Sequence, residues 1–127
     1  MKQETITLSI KEARAIATYA SKLHQKSRKK KVSKEDLYGV LRHLGMIQLD
    51  TISVITRTHE TAIFSRLGEY DLSLWQELFQ DKKITEYLAH AAAIVPTEDL
   101  PMMKKMMEHY KTEGGLWIKD PKNSPLV

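Results

Sequence analysis

With 127 residues, 42% of them hydrophobic and 28% charged, the chain can bury one core and is too apolar for a disordered segment. It has no cysteine, which excludes disulfides, thiolate chemistry and cysteine-ligated metals. The net charge of +4 is unevenly spread, because seven basic residues (Lys22, Lys26, Arg28, Lys29, Lys30, Lys31 and Lys34) crowd one short stretch without an acid.

The opening MKQETITLSI has no apolar signal core, and no apolar run is long enough to span a bilayer. A cytoplasmic, nucleoid-associated address without membrane contact is therefore expected. The first predicted helix starts at Ser9, which has Glu12 at capping-box spacing and Leu8 and Ala13 placed for a hydrophobic staple. Ala13, Ile16, Ala17, Ala20 and Leu23 then recur at helical spacing on one face. The basic stretch follows, either as a solvated linker or as a segment that meets a phosphate backbone.

A second helix is expected from Ser33, with Asp36 as the reciprocal cap, Val32 facing Leu37, and a stripe of Leu37, Val40, Leu41 and Leu44 ending at Gly45. Met46 to Ile52 reads as extended, with Ile47 and Leu49 on one side and Gln48 and Asp50 on the other. A third helix is expected from about Ser53 to Leu67, closed by Gly68. A fourth is capped by Asp71 or Ser73 and carries Leu74, Trp75, Leu78 and Phe79. Ile84 to Leu88 alternates like a wing strand, and an apolar run from Ala89 ends at Pro96. A last helix should run from near Asp99 to Glu113, where Gly114 and Gly115 stop it. The tail to Val127 is turn-rich and reads as a chain cut before its next element. This order gives the expected fold: mainly α, a winged helix-turn-helix with a few short β-strands.

Among the candidate sites, Gln48-Leu49-Asp50 is the most informative. On an extended segment the amide and the carboxylate share a face. Such a pair can hold a water and stabilise positive charge developing on a sugar, but the same alternation occurs on any half-exposed strand. His24, His43, His59, His90 and His109 show no metal-ligand spacing, so no metal site and no cofactor are expected. His90 lies in an apolar run and reads as a buried, satisfied imidazole, while Arg57 and His59 could form a polar cluster near Asp50. Met102, Met103, Met106 and Met107 form a stripe that usually packs a core or a neighbouring domain. No phosphate-binding glycine loop or activated-serine pattern is present.

The run LRHLGMIQLDTISVITRTHETAIFSRLGEYD, followed by ITEYLAHAAAIVP and TEDLP, resembles the AlkZ-like (YcaQ-type) DNA glycosylases. Gln48-Leu49-Asp50 matches the family's catalytic Q-Φ-D motif. Arg57, His59, the segment Ser65-Arg66-Leu67-Gly68 and Tyr87 through Pro96 fall where the family has similar residues. Family members often carry two histidines where this chain has His59-Glu60, and Trp where it has Leu88. The resemblance implies hydrolysis of the N-glycosidic bond of alkylated purines in double-stranded DNA, including unhooking of interstrand crosslinks. Gln48 and Asp50 would be the active pair. Lys26, Arg28, Lys29, Lys30, Lys31, Lys34, Arg57 and His59 would be the DNA-binding residues.

The resemblance also implies that residues 1–113 form the winged-helix DNA-binding and catalytic N-terminal domain. Residues 114–127 would be a linker and the start of a truncated second winged helix, with the remaining domains as partners and the fragment inactive alone. Two other readings stand beside this one: a non-enzymatic winged-helix transcriptional regulator, and an interaction module docking through the methionine stripe.

Overall fold

The computed structural model describes residues 6–24, 31–49, 56–89 and 91–113. Its elements follow in the order α1 (Ile10–Ala20), α2 (Lys34–Leu44), β1 (Ile47–Gln48), α3 (Thr58–Leu67), α4 (Ser73–Gln80), β2 (Ile84–Leu88), β3 (Ala92–Pro96) and α5 (Leu100–Glu113), with a 3-10 turn at Thr97–Asp99. The chain divides into two compact units, Met1–Pro96 and Thr97–Val127.

The first unit is built on α2. The Ser33 hydroxyl accepts from the Asp36 N–H at 3.3 Å, and the Asp36 carboxylate accepts from the Ser33 N–H at 3.1 Å, so two donors of the first turn are satisfied reciprocally. Gly45 ends the helix at φ 79°, a conformation that penalises any residue with a Cβ, and its N–H donates to the Leu41 carbonyl. Between these caps Leu37, Val40 and Leu41 are buried, each on the one stripe that the spacing dictates. Burying a leucine completely, as at Leu37 and Leu41, stabilises by roughly 2 kcal/mol apiece. Around them pack Ile47 of β1, Ile63 of α3, Trp75 and Leu78 of α4, Ile84 of β2 and Ile94 of β3.

The three strands form one antiparallel sheet in the order β1-β3-β2. Ile47 pairs with Ile94 and Gln48 with Ala93, while β2 pairs along its length from Ile84 with Pro96 to Leu88 with Ala92. Pro96 sits at the end of the central strand, where the lost ladder donor costs least. Helix, strand, two helices and a hairpin, in this order from α2 to β3, make a mainly α, winged-helix-like fold, as the sequence leads one to expect.

Two expectations need correction. The third helix starts at Thr58, not near Ser53. Arg57 is extended, at φ −74° and ψ 149°, and the Glu60 carboxylate folds back to accept from the Arg57 N–H at 3.1 Å and from the Thr56 hydroxyl. That carboxylate starts the helix after Arg57, an end that no Ser, Thr, Asn or Asp announces at the cap position. Residues 53–55 lie outside the described residues.

The apolar face of α1 is the second. The capping box forms as expected, with the Ser9 hydroxyl accepting from the Glu12 N–H at 3.2 Å and the carboxylate accepting from the Ser9 N–H at 2.8 Å. Yet no residue of α1 is buried, and Leu23 falls in the turn after the helix. The C-terminal end of α1 is tied to the core elements by polar contacts. The Ala20 carbonyl meets His43 Nε2 at 2.6 Å, and the Ser21 carbonyl accepts from Arg66 Nε at 2.9 Å. Local periodicity defines an apolar face; it does not supply the element that would cover it.

In the second unit α5 runs from Leu100 to Glu113, close to the expected limits. Met102 and Met106 are exposed, and Met103 and Met107 half-buried.

Candidate functional site

β1 is an edge strand, and its two residues face opposite ways: Ile47 is buried in the core and Gln48 is exposed. Directly across the ladder from Gln48 stands Ala93, and across from Ala93 stands Tyr87, so the three side chains share one face of the sheet. The strand geometry persists for one more residue, since the Leu49 N–H donates to the Ala92 carbonyl at 2.8 Å. A glutamine is thus displayed on a frame held from behind by core residues. Asp50 lies outside the described residues, as do Lys26, Arg28, Lys29, Lys30 and His90.

Of the remaining basic candidates, Lys31 is exposed, close enough to Asp71 to help keep that carboxyl below its usual range. The larger causes of the Asp71 shift are hydrogen bonds from Ser73, whose N–H donates to Asp71 Oδ1 at 2.9 Å and opens α4. Lys34 is differently placed. Its ammonium lies 2.6 Å from Asp81 Oδ2 and 3.9 Å from Glu77 Oε2, and the hydrogen bond to Asp81 raises its pKa. Two carboxylates at the far end of α4 therefore already answer that charge.

Arg57 is exposed at the entry to α3, and His59 is not. The His59 side chain is 6% exposed and meets the Trp75 ring edge-on, with centroids 5.4 Å apart. Its Nδ1 is buried without a hydrogen-bond partner among the described residues. Burial pushes the imidazole pKa down, with the neighbouring Arg57 charge adding to the effect and Glu60 opposing it.

Beside this pair, Trp75 Nε1–H donates to the Tyr70 hydroxyl at 3.1 Å, which in turn donates to the Glu60 carbonyl at 3.2 Å. This chain of side chains from α3 to α4 was not read from the sequence. Only the aromatic residues on either side of the Asp71 turn hinted at it.

An open cleft of about 380 Å³ adjoins the network and is lined by Thr56, Glu60, Phe64, Glu69 and Tyr70 among others. It has two carboxylates and no cation in its lining, so it does not suit a phosphate. The exposed residues of α4 are Ser73, Gln76, Glu77, Phe79 and Gln80, again without a cation, although α4 occupies the position of a recognition helix. Among the described residues no cluster of His, Asp or Glu could hold a metal ion, and no helix is long and apolar enough to cross a membrane.

The frame is of the winged-helix-like class, which DNA-binding proteins often use. The family described as DNA glycosylase AlkZ-like matches residues 41–123, from the last turn of α2 onward and across β1. The match covers well over half of the chain, which therefore belongs to the AlkZ-like DNA glycosylase family. α1 and the basic stretch between Lys22 and Lys34 precede the matched region. No solved structure matches the chain significantly.

Proposed function

We propose that the chain is the catalytic domain of a DNA glycosylase that hydrolyses the N-glycosidic bond of alkylated purines in double-stranded DNA, with Gln48 and Asp50 as the active pair. What supports this reading is the display of Gln48. An edge strand anchored by Ile47 turns an amide outward, and in extended geometry the residue two positions on returns to the same face. Alkylation of a purine ring nitrogen makes the base cationic, so it can leave as a neutral molecule without a general acid. The remaining demands are to stabilise the oxocarbenium-like sugar and to place a water, which suit Asp50 and Gln48 respectively.

Lys26, Arg28, Lys29, Lys30 and Lys31 would grip phosphates, giving affinity that falls with salt and no choice of sequence. Arg57 is exposed and can reach a phosphate. His59, behind it, would act by setting the entry to α3. Lys34 contributes less, since Asp81 already holds it. Unhooking of crosslinks follows from the same chemistry applied to a base attached to both strands.

The test is release of the modified base from DNA carrying N7-methylguanine, comparing the longest form of the protein with its Asp50→Asn variant. Release by the parent alone is expected. Equal release by both removes Asp50 from the site, and no release by either, with undamaged DNA still bound, replaces the glycosidic reaction with simple binding.

A further inference from the structure

The β2–β3 hairpin ends in a tip that a water-facing wing does not need. Leu88, the last residue of β2, is 72% exposed. Its partner across the hairpin is Ala92, also exposed, and the turn between them carries Ala89, His90 and Ala91, closed by the Ala89 N–H donating to the Ala91 carbonyl at 3.1 Å. From Tyr87 to Pro96 the sequence contains no carboxylate, lysine or arginine. Solvated hairpin tips are ordinarily polar and rich in Gly, Asn and Asp. This one has alanines on both sides of His90 and a large exposed aliphatic side chain at the end of the strand.

Alternation along β2 gives the reason. Ile84 is buried on the core face and Glu86, two residues on, is already exposed, so the core has ended before the strand does. Leu88 continues the core face into solvent. Nothing in the packing of the first unit requires a leucine there.

The tip is also fixed relative to Gln48. Ala92 accepts a hydrogen bond from the Leu49 N–H, and Ala93 pairs with Gln48, so Leu88 lies two strands and one residue from Gln48. That is about 10 Å between backbones, within the span of a few stacked base pairs, though the two side chains leave opposite faces of the sheet. A tip without a carboxylate can approach a duplex closely without repelling phosphate, and leucine is among the side chains that wedge between base steps.

We infer that Leu88 is a wedge that enters the base stack beside the damaged nucleotide and unstacks it. The inference rests on the proposed glycosidic reading for its site, and on family membership for DNA as the occupant. It assigns to Leu88 no part in bond cleavage. Leu88 is thus a positioning residue, opening the stack so that the sugar can reach Gln48.

The experiment uses the full chain and a duplex with 2-aminopurine next to N7-methylguanine, reading fluorescence on binding under conditions where all of the duplex is bound. Parent and Gln48→Ala chains should both give a rise, because unstacking needs no cleavage. Leu88→Ala should lose most of the rise while melting at the parent temperature, and Leu88→Phe should keep it. An undiminished rise with Leu88→Ala overturns the wedge, as does a bound parent chain that gives none. A chain that binds no duplex overturns it too. So does a Leu88→Ala variant that changes the oligomeric state or the melting temperature and leaves the rise intact, which would make the tip a protein contact. Base release is measured separately, so loss of the wedge and loss of the glycosidic reading give different results.

Discussion

His59 and Trp75 meet edge to face, ring centroids 5.4 Å apart and planes at 79°, where α3 packs on α4. The contact joins the two helices of the helix-turn-helix at the same point as the Trp75–Tyr70–Glu60 hydrogen-bond chain. Trp75 also belongs to the buried core, and Arg57 at the entry to α3 is exposed. The helix pair is thus set by an aromatic and a neutral imidazole rather than by aliphatic packing alone.

That joint should be sensitive to acid. The pKa of His59 is lowered from 6.5 by burial, so the unfolded state binds a proton more readily than the folded one. Its contribution is complete above the unfolded value and is lost as pH falls from about 6.5 toward the lower folded value. Glu12 and Asp71, whose carboxyls are held below their ordinary values, lose their contributions at lower pH still. Melting temperature should therefore drop between pH 7 and pH 5, and His59→Gln should flatten that part of the profile. A slope that survives in His59→Gln places the titrating group elsewhere.

The two capping boxes have the same chemistry and should have different consequences. Ser33→Ala removes the cap of a helix whose stripe is buried in the core, and should cost about 1 kcal/mol of global stability. Ser9→Ala removes the cap of a helix with no buried residue, so global unfolding should hardly change. Its effect should appear as faster amide hydrogen exchange in α1 alone. Equal losses of denaturant stability from both substitutions would mean that α1 belongs to the cooperative core.

The contrast also explains what the sequence made legible. Both caps, Gly45, the Leu37–Leu41 stripe, the wing strand β2 and the last helix follow from short-range rules and appear where those rules put them, whereas β3 read only as an apolar run. The exposed face of α1 could not be foreseen, because burial depends on a partner outside the helix. The start of α3 was missed because Glu60 supplies the cap from inside the helix. At the candidate site, the outward turn of Gln48 was readable from period-two alternation. The depth of His59 was not, since a histidine in a first turn says nothing about which aromatic ring will cover it.

The basic stretch offers a graded test of phosphate contact. Each duplex phosphate neutralised contributes about −0.9 to the slope of log affinity against log salt. Replacing Lys29, Lys30 and Lys31 together with Ala should weaken duplex binding and flatten the slope by as much as about 2.7. Lys34→Ala should change it much less, because Asp81 at 2.6 Å already shares that charge. A flat response in the triple variant would make the stretch a solvated linker, and an equal response at Lys34 would mean that the ion pair opens on DNA.

Adjacent residues of β1 provide the sharpest separation of stability from chemistry. Ile47 is 5% exposed and pairs with Ile94 in the middle of the core. Ile47→Ala should cost roughly 2–5 kcal/mol, read as a lower denaturant midpoint. Gln48 is exposed, so Gln48→Ala should leave the midpoint within about 0.5 kcal/mol of the parent. If Gln48 holds the attacking water, the same variant should slow base release from N7-methylguanine DNA by roughly 100-fold or more, the usual scale for a positioned polar group. Binding to the same duplex should persist, because the amide meets the reacting water and not the phosphates. Base release at the parent rate by a stably folded Gln48→Ala chain would leave the alternation of β1 a purely structural pattern.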